Sequence, residues 1–170
     1  TFCENLVMDT ALTTATGDHR LSLLGKIGDE AVTMLMNLRA RFLFETAFFE
    51  NRKKRPLTAD ELSELMVVAQ REAYKNGLSE NGYHPLFWAS KLHFYITNMP
   101  FYNFPYVFGY LFSSGLSARA SVEGNSFAKT YSKMLGDSGM MTCEELSLRY
   151  LGEDITQTEF WENAVDKVLE

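Results

Sequence analysis

Apolar residues recur at helical spacing along most of this chain. Between Asp18 and Arg55 they fall at Leu24, Ile27, Val32, Leu35, Met36, Leu38, Phe42, Leu43, Thr46 and Phe49, with charges largely between them, which predicts one long helix. Pro56 and a Thr58-Ala59-Asp60-Glu61 capping box stop it and start another on Leu62, Leu65, Met66, Ala69 and Ala73, with Gly77 as its expected end. The pair reads as a helical hairpin. Two more Thr-x-x-Glu boxes, Thr142 to Glu145 and Thr156 to Glu159, predict short C-terminal helices on Leu146, Leu148 and Leu151 and on Trp161, Val165 and Val168. No stretch shows sustained alternation bounded by hairpin turns, and there are no internal repeats or low-complexity segments, so the predicted fold class is all-α. Gly109 and Gly115 suit close helix packing, whereas Gly124, Gly136 and Gly139 suit turns and caps.

Composition narrows this picture. A chain of 170 residues with 46% hydrophobic and 14% aromatic side chains can bury a substantial core within one domain or a large piece of one. The net charge of -6 and the lack of any basic block beyond Arg52-Lys53-Lys54-Arg55 argue against a nucleic-acid partner. No apolar stretch approaches the ~20 residues that span a bilayer, and the start lacks the pattern of a signal peptide. Cys3 and Cys143 have no framework spacing, which predicts free, buried thiols and a cytoplasmic setting. Thr1 opens directly into apolar-periodic sequence, as if an element were already under way.

Candidate chemistry concentrates between His93 and Phe112, which hold nine of the 23 aromatic side chains. Pro100 and Pro105 interrupt helical hydrogen bonding, predicting a loop that feeds a helix starting near Tyr106. A loop dense in Tyr, with Asn and a nearby His, offers hydroxyl, amide and imidazole donors on rigid apolar bodies. Such donors hold peptide carbonyls, or an oxyanion as charge develops, when pre-placed at about 2.7 to 3.1 Å. The bland alternative is an aromatic cluster that only packs together.

The runs His93-Phe94-Tyr95, Pro100-Phe101-Tyr102-Asn103-Phe104-Pro105-Tyr106 and Phe108-Gly109-Tyr110-Leu111-Phe112-Ser113 resemble the signature of the oligoendopeptidase F branch of the thimet oligopeptidase superfamily. The resemblance extends through Arg39-Ala40-Arg41-Phe42-Leu43-Phe44-Glu45, the Leu57 to Leu62 start, His84-Pro85-Leu86-Phe87-Trp88 and Tyr150-Leu151-Gly152. It implies that residues 1–170 are the helical C-terminal part of a zincin-type catalytic domain, in a zinc metalloendopeptidase of short peptides. Family members take two His ligands and a Glu base from an HExxH helix and a third ligand from a downstream Glu. HExxH is absent here, and Thr1-Phe2-Cys3-Glu4 resembles the continuation of the third-ligand motif, so the resemblance places every metal ligand before Thr1, in an N-terminal remainder of the same protein. It further implies that His93, Tyr102 and Tyr106 bind substrate and polarise the scissile carbonyl, with Tyr110 as a fourth substrate-binding candidate. Glu4, about two helical turns beyond the implied ligand, would accept a hydrogen bond from a ligand imidazole and orient it. Residues 1–170 alone are then expected to bind no zinc and to cleave nothing.

His19 and His84 have exposed, turn-like or helix-start settings and are assigned no ligand role. Met34, Met36, Met66, Met140 and Met141 are expected to fill core gaps, and Arg52 to Arg55 to complement a helix dipole. The rival reading is a non-catalytic all-α binding or scaffolding domain whose aromatic loop is an apolar partner surface.

Overall fold

A computed structural model describes residues 1–169, and among them there is no β-strand. The α-helices are α1 (Phe2–Thr14), α2 (Gly17–Val32), α3 (Leu38–Arg52), α4 (Ala59–Ala73), α5 (Phe104–Glu123), α6 (Phe127–Asp137), α7 (Cys143–Leu151) and α8 (Glu159–Leu169). They form two compact units: residues 24–108, and residues 1–23 with 109–170. No helix among the described residues is long and apolar enough to cross a membrane.

The predicted long helix is present but not uniform, because α2 passes into α3 through one π-helical segment, Thr33–Asn37. A π turn adds a residue to the helical count and so rotates every following side chain by about 100° relative to an uninterrupted α-helix. α2 carries no fully buried residue, and Leu21, Leu24 and Val32 are exposed, so its apolar periodicity does not mark a core face here. α3 instead buries Leu38, Ala40, Phe44 and Glu45.

α4 begins on the predicted box: the Thr58 hydroxyl accepts from the Glu61 N–H, and the Glu61 carboxylate accepts from the Thr58 N–H. Its end differs from expectation. The helix stops at Ala73, and Lys75 and Asn76, not Gly77, take the left-handed conformation, with φ of 51° and 57°. Gly77 is favoured for a different reason, since a Cβ there would lie 3.0 Å from the Tyr74 carbonyl oxygen and the turn would have to give by a few tenths of an ångström. α3 and α4 pack as the expected hairpin around Phe44, Met66 and Ala69, with Leu43, Leu62, Leu65, Phe87, Trp88 and Phe94 against them.

In the other unit, Phe2 places its ring 6.0 Å from that of the buried Phe127 and 4.3 Å from that of Tyr131. Gly115 of α5 lies so close to α8 that an added Cβ would meet Phe160 Cζ at 2.5 Å, as the close-packing expectation for this glycine requires. Gly109 shows no such approach, and Gly136 lies inside α6 instead of at a turn. α7 has the predicted Thr142 box and ends on Gly152 at φ 70°. The Thr156 box does not form: Thr156 donates to Asp154, and the Thr158 carbonyl accepts from Trp161 and Glu162 at the start of α8. The Thr156 hydroxyl oxygen accepts from the Gln157 side-chain amide instead of from the Glu159 N–H, and the Asp154 carboxylate takes the Thr156 backbone N–H that the Glu159 side chain would accept. Cys3 and Cys143 are free but exposed, which corrects the expectation of burial; each sits in the first turn of a helix, α1 and α7, with no preceding helical turn beside it. Met66 is fully buried as expected, whereas Met36 and Met140 are exposed.

Candidate functional site

The His93–Tyr106 region is built on α3 and α4. From Tyr74 the chain runs through short 3-10 turns at Glu80–Gly82, Phe87–Ser90 and Leu92–Tyr95 before α5 begins. The buried Gln70 side chain holds this run to α4: its amide donates to the His84 carbonyl at 3.0 Å, and its carbonyl accepts from the His84 N–H at 3.1 Å. That pairing replaces a two-bond backbone ladder with one side chain, which satisfies polar groups that a loop would otherwise leave bare. Trp88 donates to Ser63 Oγ at 3.3 Å, so the next turn is also fixed to α4.

Pro105 occupies the first turn of α5, which starts at Phe104, two residues before the predicted Tyr106. The segment Pro100 to Asn103 is a series of turns, and Phe101 has φ 59°. A phenylalanine in that region is strained by about 1–3 kcal/mol and persists only where its surroundings determine it. Two contacts do so. The Phe101 N–H donates to Glu45 Oε1 at 2.6 Å, and the Phe101 ring lies 5.5 Å from both Phe42 and Phe49. Positions 42, 45 and 49 share one face of α3.

The neighbouring tie involves Asn103, which is 2% exposed. Arg41 donates to its Oδ1 at 3.0 Å and, through Nε, to Asn37 Oδ1 at 2.9 Å. The guanidinium also lies 5.5 Å from the Phe87 ring centre, and Lys91 covers that ring at 4.5 Å. Burial lowers the affinity of Arg41 for its proton, opposed by nearby Tyr74 and Tyr106, yet an arginine stays charged at any physiological pH. Burial also pushes the Glu45 carboxyl above its usual range, opposed by the Phe101 N–H and by His93. Glu45 Oε2 and Asn103 Nδ2 are buried without a hydrogen-bond partner among the described residues.

Between these two ties stands Tyr102. Its ring is stacked on His93, with centroids 5.7 Å apart and planes at 24°. Tyr106 meets both edge-on, 5.7 Å from His93 and 5.9 Å from Tyr102. His93, Tyr102 and Tyr106 thus form a three-ring cluster in which His93 and Tyr102 are half-buried and Tyr106 is exposed. Among the described residues no hydrogen bond occupies either hydroxyl or a ring nitrogen of His93. Three polar tips with unused donors, on bodies fixed by ring packing, can receive a carbonyl or an anionic oxygen.

The other sequence-predicted residues lie elsewhere. Tyr110 falls in the second unit, is 7% exposed, and accepts at its carbonyl from Ser114 Oγ. Glu4 is exposed on the first turn of α1. His19 and His84 are both exposed. Among the described residues no group of three or more His, Cys, Asp or Glu side chains is placed to hold a metal ion. A cavity of about 670 Å³ beside Gly115, Arg119, Phe160 and Lys167 includes none of the predicted residues.

Local sequence assigns Glu45 and Arg41 no role at the loop. Arg41 and Glu45 are one turn apart and look like an ordinary surface ion pair on a helix. The available signal was their position among Phe42, Phe44 and Phe49, since a charged residue on an aromatic face needs a polar partner from elsewhere. Comparison with models of protein families, with curated proteins and with solved structures yields no match to the chain.

Proposed function

We propose that this chain is the substrate-positioning part of an oligoendopeptidase F-like zinc metallopeptidase acting on short peptides, in which Tyr102, Tyr106 and His93 hold the scissile carbonyl. The observation that supports this reading is the three-ring cluster, whose hydroxyls and imidazole carry no hydrogen bond among the described residues. The tyrosine hydroxyls donate to the carbonyl oxygen and strengthen that bond as the oxygen becomes anionic. His93 lies against Tyr102 and adds an imidazole donor. Glu4, exposed on α1, orients an imidazole of the metal-binding segment. On this reading the zinc ligands belong to polypeptide before Thr1, and the intact protein works in the cytoplasm, where two free, exposed thiols remain reduced.

The test is kinetic. In the polypeptide that carries the HExxH segment, Tyr102→Phe and Tyr106→Phe should lower kcat more than they raise KM. A rise in KM with unchanged kcat would refute a transition-state role for the hydroxyls. The 170-residue chain alone should show no chelator-sensitive turnover, and such turnover would overturn the assigned division of labour. Tight binding of a protein partner through the aromatic loop, with no peptidase activity in the intact polypeptide, would favour the scaffolding reading instead.

A further inference from the structure

Beyond the ring cluster, we infer that Glu45 and Arg41 of α3 are positioning residues that set Tyr102 against His93 by tying down the residues on either side of it, one through its backbone and one through its side chain. The geometry is specific. Residue 101 is held through its N–H by Glu45 Oε1 at 2.6 Å, and residue 103 through its side-chain oxygen by Arg41 at 3.0 Å. Only Tyr102 between them is left to project its ring toward His93 and Tyr106.

Three independent features make this a clamp instead of incidental packing. Glu45 and Asn103 are 5% and 2% exposed, so both ties are shielded from competing water. Phe101 is held in a left-handed conformation that its residue type disfavours, and its ring is gripped between Phe42 and Phe49 on the same helix face as Glu45. The π-helical segment ends at Asn37, whose side chain accepts from Arg41, so the register of α3 changes immediately before the clamp residues. An uninterrupted α-helix would carry Arg41 and Glu45 about one residue's rotation away from the loop. The consequence for function rests on the proposed peptidase reading; the clamp itself does not.

Ring contacts in the 170-residue chain provide the test, read as nuclear Overhauser cross-peaks between assigned aromatic protons. Wild-type protein should show His93–Tyr102, Tyr102–Tyr106 and His93–Tyr106 cross-peaks. Glu45→Ala should weaken both Tyr102 cross-peaks severalfold and change His93–Tyr106 less, because Glu45 hydrogen-bonds the residue next to Tyr102 and neither His93 nor Tyr106. Glu45→Gln, whose amide oxygen can still accept from the Phe101 N–H, should restore them. Asn103→Ala removes the second tie and supplies the same comparison should Glu45→Ala fail to fold. Unchanged Tyr102 cross-peaks in folded Glu45→Ala or Asn103→Ala protein would overturn the clamp, as would equal loss in Glu45→Gln. In the polypeptide bearing the HExxH segment, Glu45→Ala should lower kcat by about 10- to 100-fold with little change in KM, the scale expected when a reacting group is misplaced by about 1 Å. Absence of peptidase activity in that wild-type polypeptide would remove the functional reading while leaving the cross-peak result to decide the clamp.

Discussion

The two units of this chain solve the problem of fixing one element on another by opposite means. In the unit formed by residues 1–23 and 109–170, α5 meets α8 through a missing side chain: Gly115 admits the buried Phe160 ring to a distance that any Cβ would forbid. In residues 24–108 the aromatic loop meets α3 through polar ties from Glu45 and Arg41, supported by rings. A steric fit is intolerant of volume and indifferent to protonation. A buried polar tie tolerates an isosteric swap and depends on charge. Each unit carries one tryptophan, Trp161 beside Phe160 and Trp88 in the α3–α4 core, so Trp→Phe backgrounds let fluorescence follow each unit separately.

The largest effect is expected at the steric contact. Phe160→Ala should destabilise its unit by about 3–5 kcal/mol, the usual cost of emptying a buried aromatic site. Gly115→Ala should cost about 1–3 kcal/mol through overpacking, because a buried ring cannot swing clear as a flexible chain end can. The two must couple: in the Phe160→Ala background the added methyl enters vacated space, so Gly115→Ala should be near neutral or stabilising. Urea unfolding followed by Trp161 measures all three variants, and strict additivity would show that the close approach carries no strain.

The next effect separates charge from hydrogen bonding in the polar unit. Glu45→Ala leaves a buried Phe101 N–H without its acceptor and should cost about 1–3 kcal/mol. Glu45→Gln keeps an acceptor and removes the charge. The folded state raises the Glu45 pKa through burial, so the carboxyl favours the fold when protonated, and that contribution is lost as pH rises through the folded value. Glu45→Gln should therefore unfold at higher urea than wild type near neutral pH. The advantage should vanish below the ordinary carboxylate pKa of about 4.3, where both side chains are neutral. A gap that widens on acidification would mean that Glu45 is stabilised as the anion. Smaller again is Thr58→Ala, which removes the α4 cap and should cost about 1 kcal/mol.

These differences follow the line between what local sequence specifies and what it does not. The hairpin, the Thr58 and Thr142 boxes and Pro105 are legible because each is decided within a few residues by backbone groups that need partners. The Thr156 box does not form because Asp154, two residues away, accepts the Thr156 N–H that Glu159 would take, and Gln157 donates to the hydroxyl. Gly77 was misassigned because Lys75 and Asn76 reach the left-handed region first. In the candidate site, the sequence pointed to His93, Tyr102 and Tyr106, and these three rings do lie together. It did not point to Glu45, whose partner is a backbone N–H distant in sequence. Long-range ties of that kind leave no periodic mark. Nor did helical spacing reveal the π turn, because apolar residues flank it on both sides.

The smallest predicted effect tests whether charge alone, without burial, holds anything in the polar unit. Glu72 on α4 pairs with Arg39 at 3.3 Å and with Lys75 at 3.1 Å, two cations against the single backbone donor that Glu45 receives. By count of partners it should matter more. Its side chain is half exposed, however, and water and salt screen such pairs. Lys75 and Arg39 hold its carboxyl below the usual range, so whatever stability it adds is present above the ordinary carboxylate pKa and lost as pH falls. That is the opposite sign to Glu45. Glu72→Gln should leave the Trp88-monitored midpoint unresolved from wild type at physiological salt, with a small loss emerging only at low ionic strength. Glu45→Ala should show the same loss at both salt concentrations. If Glu72→Gln proved as costly as Glu45→Ala, or Glu45→Ala as sensitive to salt as Glu72→Gln, the polar unit would be held by surface charge and not by buried ties.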